Sequence, residues 1–459
     1  MQPRIQPSHK IDMLNGPLLR KILLFALPLA ASSILQQLFN SADVAVVGRF
    51  TGSHAMAAVG SSVPVINLLI MLFVGLSVGS NVVIAQFIGL GQKDKAQEAT
   101  HTSILLALIS GVLLMLVGVA IARPIMQLID TPDEILDQAV LYLRIYFLGM
   151  PFFMLYNFGS AVLRSVGDTR RPLYCLFLSG VINVLLNLFF VIACRLGVAG
   201  VAIATSASNA VSAGFVLHFL LHEEEAIRLH PKRLRLHRRH LREIFRIGAP
   251  SGLQGVVFSL SNVCIQAGIN SFGSDAIAGS TAALNFEYFS YFMVTGFVQA
   301  ATTFTSQNYA AGLYDRCRKV FRLCMALGVA LSLLLSVVFS VWKELFASFY
   351  TVEPAVLEYV YFRMNTILLM ECMTCSYEIS GAALRGMGRS LLPALITMAG
   401  TCGLRFAWVY LLFPRVGTYS FLLFVYPVTW VITGTAVLIA YFTIRRRLFS
   451  VRPDLPVEV

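Results

Sequence analysis

Apolar runs follow one another along almost the whole chain and are separated by short polar stretches. A helix needs about 20 predominantly apolar residues to cross the hydrocarbon core of a bilayer. Runs of that length lie approximately at residues 20–47, 55–88, 100–122, 138–162, 173–194, 198–221, 245–271, 277–307, 321–341, 357–384, 392–413 and 419–443. Each run predicts a membrane-spanning helix, so we expect an all-α membrane protein with twelve spans. The first run is longer than the apolar core of a signal peptide, and we expect it to remain as the first helix.

The two halves of the chain repeat each other. Residues 52–55, GSHA, recur as residues 273–276, GSDA, at an offset of 221 residues. The same offset relates Gln86 to Gln307, Gly91 to Gly312, Asp94 to Asp315, Arg164 to Arg385, Gly167 to Gly388 and Pro172 to Pro393. An offset that spans six helices gives both halves the same orientation, which is a parallel repeat. We therefore predict two six-helix lobes, residues 1–221 and residues 247–459.

Composition and charge agree with a membrane protein and predict its orientation. The chain is 57% hydrophobic and 13% charged, whereas soluble proteins carry about 25% charged residues. The net charge of +12 could indicate nucleic acid, but basic residues of membrane proteins concentrate on the cytoplasmic side. If both termini are cytoplasmic, Arg405 lies within a span, and the basic residues on the outer side are only Arg49, Arg123, Arg144, Arg195, Lys343, Arg363 and Arg415. We therefore expect a multi-pass inner-membrane protein with cytoplasmic termini and no nucleic-acid partner.

Residues 222–246 form the only long charged stretch and are predicted to be a cytoplasmic linker between the lobes. Near an anionic leaflet, each basic residue contributes on the order of 1 kcal/mol to membrane attraction, so we expect the linker to lie against the inner leaflet. Histidines at 218, 222, 230, 237 and 240 raise the alternative of a metal site, but their spacing follows no regular ligand pattern.

No motif for catalysis or cofactor binding is readable in the sequence. A Walker A lysine pattern, a Ser-His-Asp arrangement and a His-Glu-x-x-His sequence are all missing. Cys372 and Cys375, the closest pair of the eight cysteines, could bind a metal, but cysteine is also an ordinary packing residue on membrane helices. We predict that the protein is not an enzyme and uses neither a cofactor nor a metal.

Polar residues inside the first half suggest an ion-coupling site. Gln36, Asn40 and Asp43 have the spacing i, i+4, i+7 and share one face of the first span. Asn183 and Asn187 form an i, i+4 pair on the fifth span, and Thr205 follows on the sixth. A carboxylate with amide and hydroxyl oxygens could replace the water around a sodium ion, and the carboxylate alone could carry a proton. The alternative is that Asp43 is simply solvated at the outer end of the helix.

The second half carries charges of its own at membrane depth, which are functional candidates by default. Glu287 lies in the aromatic run 286–292 with Tyr288 and Tyr291, and a carboxylate among aromatic rings suits lipophilic cations. We therefore expect these three residues and Gln36 to line a substrate cavity. The alternatives are structural pairing of the acid and lipid-facing packing of the rings.

A further charge network is predicted on the tenth and eleventh spans. Glu371 and Glu378 are seven residues apart, which places them on one helix face. Arg405 is the basic residue expected to neutralise one of them.

Several motifs together resemble those of the multidrug and toxic compound extrusion (MATE) family, over about residues 15–445. They are the proline-containing first span with Asn-Ser-Ala-Asp at 40–43, Ala-Gln-Phe-Ile-Gly-x-Gly at 85–91, Leu-Arg-Ser-x-Gly-Asp at 163–168 with its twin at 384–389, and Asn183-x-x-x-Asn187 followed by Gly-Val-Ala-Gly. The resemblance implies two lobes around a central cavity. It also implies export of organic compounds, usually cationic or amphipathic, driven by inward flow of H+ or Na+.

The resemblance extends to individual residues. Asp43, Asn183, Asn187 and Thr205 match the coupling positions of the DinF-like branch, although that branch often has an acid where this chain has Asn187. One acid fewer favours a proton over sodium as the coupling ion. The NorM-like branch uses acids in the second half, where this chain has Ser259 and Thr374, so the chain is interpreted as closer to the DinF-like branch.

Three other function classes are alternatives to an exporter. A flippase for lipid-linked saccharides shares the larger fold superfamily, but is expected to have extra helices or a more cationic cavity. An integral-membrane enzyme would need clustered His or Asp ligands at the membrane surface, and the sequence shows no such cluster. A channel would not need a two-lobed repeat with a single buried acid. We expect a monomer whose partners are small organic substrates and the lipid bilayer.

Overall fold

The computed structural model describes residues 10–223 and 226–450. Both chain ends, predicted to be cytoplasmic, and Glu224 and Glu225 of the predicted linker lie outside the described residues. The described residues are almost entirely helical and form no β-strand.

The first half contains α1 (Leu18–Phe50), α2 (Ser53–Gly89), α3 (Lys93–Leu128), α4 (Asp133–Leu148), α5 (Met150–Ser165), α6 (Arg170–Leu188) and α7 (Gly197–Leu221). The second half contains α8 (Arg238–Asn270), α9 (Ser274–Ala310), α10 (Tyr314–Val341), α11 (Lys343–Ser348), α12 (Pro354–Arg363), α13 (Cys375–Gly386), α14 (Leu391–Thr397), α15 (Leu404–Ala407), α16 (Phe413–Val416), α17 (Tyr419–Leu423) and α18 (Val425–Ser450). Wider π turns lie at Phe189–Ala193, Met364–Leu368, Met398–Gly403 and Trp408–Leu412, and tighter 3-10 turns at Pro231–Arg233 and Glu371–Thr374.

The described residues contain ten helical segments that are long and apolar enough to cross a membrane. The predicted span at 138–162 is the pair α4 and α5, which meet at a bend of 48°. The bend lies just before Pro151, whose ring cannot continue a helix without a break in the hydrogen bonds of the preceding turn. The predicted span at 277–307 is α9, a helix of 37 residues that is not among these ten segments. The predicted class of a polytopic all-α membrane protein is confirmed.

Contacts divide the chain into two compact units, each with its own core. Among the described residues, the first comprises 10–12, 31–223 and 226–256, and the second comprises Met13–Ala30 and 257–450. Two helices, α1 and α8, belong partly to each unit, so these boundaries differ from the predicted lobes 1–221 and 247–459. Each has 33 residues and is about 50 Å long at 1.5 Å per residue, so its two ends lie in different surroundings. The predicted lobes stay a prediction from the sequence repeat.

A close approach of two helices fixes the core of the first unit. Gly75 and Gly79 on α2 face Gly248 and Gly252 on α8, and a Cβ on Gly79 would overlap the carbonyl oxygen of Ile244. In each helix the two glycines are four positions apart, which places them on one helix face. Their lack of a side chain lets the two backbones approach each other. The glycines therefore set the spacing of α2 and α8.

The predicted linker is a folded segment that packs on α3. The backbone N–H of His230 donates to Nε2 of His101 at 3.0 Å, and that of His237 donates to the hydroxyl of Thr102 at 3.2 Å. Many of its basic side chains are exposed, among them Lys232, Arg233, Arg235, Arg238 and Arg239. The described histidines, cysteines and acids form no group that could hold a metal ion.

Candidate functional site

Four polar side chains of the first unit meet in one buried cluster, which we name the Asp43 cluster: Asp43, Asn183, Asn187 and Thr205. The Asn187 amide donates to Oδ1 of Asp43, and the Thr205 hydroxyl lies 3.2 Å from Oδ2. The Asn187 amide also reaches Oδ1 of Asn183 at 3.2 Å. The structure thus brings together a carboxylate from α1, two amides from α6 and a hydroxyl from α7.

The local sequence explains how each side chain enters the cluster. Asn183 and Asn187 are one helical turn apart on α6, directly before the π turn Phe189–Ala193. The Thr205 hydroxyl lies 3.0 Å from the carbonyl oxygen of Val201 as well as near Asp43. A hydroxyl has a single hydrogen to donate, so Thr205 can serve either acceptor but not both at once.

The electrostatics of the cluster centre on one buried carboxylate with neutral partners. Asp43 is only 7% exposed, and a charge at membrane depth costs about 2.5–3.5 kcal/mol on insertion scales. Among the described residues, no basic side chain forms an ion pair with it. Oδ1 of Asn187 is buried and has no hydrogen-bond partner among these residues. The Asp43 carboxylate and Oδ1 of Asn187 can therefore form a further bond, to a proton or to a small cation.

Two residues that the sequence predicts near the cluster lie outside it, and two residues near the cluster are not predicted from the sequence. Asn40 and Gln36 are exposed on α1, and neither forms a hydrogen bond to the cluster in the described part of the chain. Tyr142 and Tyr146 of α4, which interact electrostatically with Asp43, were not predicted. Their i, i+4 spacing was the only available signal.

The second unit contains a cavity of about 140 Å3, which we name the second-unit cavity. It is lined by Phe258, Asn262, Gln266, Leu284, Glu287, Tyr288, Tyr291, Arg363, Glu371, Thr374, Tyr377, Arg405, Tyr426 and Trp430. The predicted substrate residues Glu287, Tyr288 and Tyr291 thus line one cavity. Gln36, predicted to join them, belongs to the first unit.

Glu287 is held by a buried ion pair in the cavity wall. Nε of Arg363 lies 2.6 Å from Oε1 of Glu287, and Nη2 lies 3.0 Å from Oε2. Arg363 is 2% exposed, whereas the charge pattern had placed it among the basic residues of the outer side. It is buried where α12 meets the π turn Met364–Leu368. The cavity is therefore less acidic than the sequence suggested.

The remaining charges are arranged differently from the predicted network. Glu371, at the start of a 3-10 turn, lines the cavity, while Glu378 does not and interacts instead with Arg385. Arg405 lies between two π turns and donates to Oδ1 of Asn262 at 3.1 Å. Among the described residues no acid lies within ion-pair distance of Arg405, but Arg405 interacts electrostatically with Glu371 over a longer distance. The neutralisation of one acid by Arg405 stays a prediction.

Tyr426 is a cavity residue that the sequence reasoning missed. Its ring lies beneath two guanidinium groups, 4.6 Å from that of Arg405 and 5.7 Å from that of Arg363. Phe258 covers the Arg405 group at 5.1 Å. Such cation–π contacts stabilise a buried cation without neutralising it.

Comparisons with known proteins match the fold and both halves of the chain. The model of the MatE family matches residues 28–189 and again residues 250–411. The probable multidrug resistance protein YoeA of Bacillus subtilis is 26% identical over 392 residues, which cover 84% of each chain. The probable multidrug resistance protein NorM of Thermotoga maritima is 28% identical over 386 residues, 83% of each. A solved transporter of the MOP superfamily from Pyrococcus furiosus, described with a binding pocket of reverse polarity, has a TM-score of 0.86 at 22% identity and covers 97% of this chain and 99% of its own.

Proposed function

The chain belongs to the MatE family, and from that premise we propose that it is a secondary active antiporter that exports organic compounds in exchange for inward H+ or Na+. The names of its relatives as multidrug resistance proteins support an efflux function. The proposed substrates are cationic or amphipathic compounds.

The observation that carries the proposal is the Asp43 cluster. Asp43 is a buried carboxylate whose partners, Asn187 and Thr205, are both neutral. A buried carboxylate without an ion pair can bind a proton and lose its charge at a modest cost in free energy. An acid held in an ion pair cannot, because protonation would break the pair. Because a ligand drives a conformational change only by its different affinity for the two states, the ion must bind Asp43 more tightly in one state of the transport cycle than in the other.

A proton is the coupling ion that the geometry favours. The cluster holds one carboxylate, and the Asn187 amide nitrogen, a donor, faces it. A sodium ion would need oxygen atoms in that position, since amide N–H groups do not coordinate cations. Sodium is the second candidate, supported by the buried and unpartnered Oδ1 of Asn187. Because the proposed coupling acid, Asp43, lies on the first helix, we also propose that the chain is closer to the DinF-like than to the NorM-like branch.

Substrate recognition is proposed for the second-unit cavity. Arg363 neutralises Glu287, so Glu371 becomes the acid available to a cationic group. The rings of Tyr288 and Tyr291 line the same cavity and suit an apolar or aromatic body.

A flippase for lipid-linked saccharides is the second candidate function, and the two arginines of the cavity favour it. Arg363 and Arg405 balance Glu287 and Glu371, so the cavity has no excess of acid. The number of predicted spans continues to favour the exporter.

The experiment is transport in proteoliposomes that contain the purified full-length protein. A pH gradient and a sodium gradient are imposed separately, and the movement of a fluorescent lipophilic cation is followed. The proposal predicts uphill movement with the pH gradient. Failure of both gradients to drive uphill movement of the cation would contradict antiport. Acceleration of a lipid-linked saccharide across the bilayer without a gradient would favour the flippase.

We also propose that the protein is a monomer of the inner membrane, with the segment 222–246 against the cytoplasmic leaflet. The exposed basic side chains of that segment, such as Arg235 and Arg239, support this orientation. Each would contribute on the order of 1 kcal/mol of attraction to anionic lipid.

A further inference from the structure

The second-unit cavity contains two charged side chains, Arg405 and Glu371, that form an ion pair with no described residue, although they interact electrostatically with each other over a longer distance. Arg405 is fully buried, and its Nε and Nη2 atoms have no hydrogen-bond acceptor among the described residues. Glu371 is 6% exposed and lines the same cavity, and within residues 10–223 and 226–450 its carboxylate has no ion pair or hydrogen bond. Glu287 and Arg363 form their hydrogen-bonded ion pair with each other, and they interact with Glu371 only electrostatically.

A buried cation with unpartnered N–H groups is a costly arrangement for a purely structural residue. The rings of Phe258 and Tyr426 offset part of that cost, but they supply no oxygen to the two N–H groups. Only Nη1 of Arg405 has an acceptor, on Asn262. A carboxylate is the group that matches a guanidinium best, since it accepts two parallel hydrogen bonds.

The charges of the cavity decide which class of ligand fits. Two acids and two bases line it, so their formal charges cancel. A ligand with a single positive charge would pair with Glu371 but leave Arg405 unpartnered, and an anion would do the reverse. A ligand that carries both charges satisfies both side chains and keeps the cavity neutral.

The size of the cavity limits what can enter it. Its volume is about 140 Å3, close to the roughly 150 Å3 of an engineered cavity that holds benzene. Pockets for drug-sized ligands have about 300–1,000 Å3. The cavity therefore accommodates a compact head group and a small apolar body, which Leu284, Tyr288 and Trp430 would contact.

We propose that the second-unit cavity binds a compact zwitterionic head group of the α-amino-acid type, with its carboxylate on Arg405 and its ammonium group on Glu371. As a statement about the exported substrate, this inference rests on the proposed function. As a statement about a binding site, it does not require transport.

The test is equilibrium binding to the purified full-length protein in detergent at neutral pH, by calorimetry. The probes are L-alanine, ethylamine and propanoate, which share a small apolar body that fits the cavity and differ in the charges of the head group. Wild-type protein should bind alanine at least about tenfold more tightly than either single-charge probe, since each charged pair adds a charge-assisted hydrogen bond. Equal affinity for alanine and ethylamine would overturn the proposal.

Matched variants assign the two charges. Arg405→Gln should abolish the preference for alanine over ethylamine, and Glu371→Gln should abolish the preference for alanine over propanoate. Glu378→Gln, which changes a nearby acid outside the cavity wall, should retain both. Persistence of the first preference in Arg405→Gln would overturn the assignment.

Thermal unfolding of each variant separates binding from folding. If Arg405→Gln does not fold, the comparison of the three probes on wild-type protein decides alone. If the protein shows the binding preference but no gradient-driven export, the proposed function is contradicted and the binding site is retained. If it exports along a gradient but shows no preference, the binding site is contradicted and the proposed function is retained.

Discussion

Arg363 holds Glu287 in a bidentate ion pair inside the second-unit cavity, at 2.6 and 3.0 Å. Both side chains are buried. Removal of one partner from a buried pair leaves an uncompensated charge, which costs about 3–5 kcal/mol, whereas replacement of both can be neutral or stabilising. The pair is therefore a structural element of the cavity wall as well as part of its surface.

The first prediction follows from this pair. Glu287→Gln should lower the midpoint of thermal unfolding in detergent, because Arg363 remains charged and buried. The double variant Glu287→Gln/Arg363→Gln should recover most of the loss. Glu358→Gln is the control, since that acid is exposed on α12, the helix of Arg363, and forms no ion pair among the described residues. A double variant less stable than the single one would show that the two residues do not act as a pair.

The second prediction concerns the packing of α2 against α8. Gly79→Leu should destabilise the protein by about 1–3 kcal/mol or more, because a side chain there would meet the backbone near Ile244 and Gly248. Gly60→Leu, on the same helix with nothing within 4 Å of its Cβ position, should have little effect. The measurement is the midpoint of unfolding and the yield of monodisperse protein. Equal effects of the two substitutions would contradict the close approach.

The sequence predicted the membrane fold and all four residues of the Asp43 cluster for identifiable reasons. Apolar runs of spanning length predicted the helices, since the bilayer imposes their length. The i, i+4 spacing of Asn183 and Asn187 placed them on one face, and the family resemblance joined them to Asp43 and Thr205. No local pattern could reveal that α6 and α7 meet α1 at that depth, because this depends on tertiary packing.

The second-unit cavity was predicted less well, and helix irregularities explain why. Glu371 begins a 3-10 turn, and Arg405 lies between two π turns. Regular helical spacing therefore placed Glu371 and Glu378 on one face, although only Glu371 lines the cavity. The charge pattern counted Arg363 among the basic residues of the outer side and could not reveal its partner Glu287, which is 76 residues away in sequence.

The third prediction tests the orientation of the chain. A single cysteine at position 235, in a background without the eight native cysteines, should resist an impermeant thiol reagent in intact cells. The same variant should react in inside-out vesicles, since Arg235 is exposed on the folded linker. Asp133→Cys, at the start of α4 on the predicted outer side, should react in intact cells. The reverse pattern would invert the topology.

The fourth prediction concerns ion selectivity. Asn187→Asp adds a second carboxylate beside Asp43 and supplies oxygen in place of the amide nitrogen that now faces it. Hard cations such as sodium prefer oxygen ligands, so a sodium gradient should drive export by this variant more strongly than by wild-type protein. Asn270→Asp makes the same change at an exposed amide on α8 and should leave ion selectivity unaltered. An unchanged sodium response of Asn187→Asp would argue against cation binding in the cluster.

The fifth prediction, and the most direct test of the account, is gradient-driven export by Asp43→Asn in proteoliposomes. The substitution keeps the shape of the side chain and removes its titratable charge, so the variant should insert and fold, since the cost of a charge at membrane depth is gone. Ser62→Ala, a buried polar change on α2 outside the cluster, serves as the control. The account predicts that Asp43→Asn still binds substrate at equilibrium but no longer moves it uphill under a pH gradient, because binding and coupling are separate free energies. Uphill export by Asp43→Asn at the wild-type rate would contradict the assignment of ion coupling to Asp43.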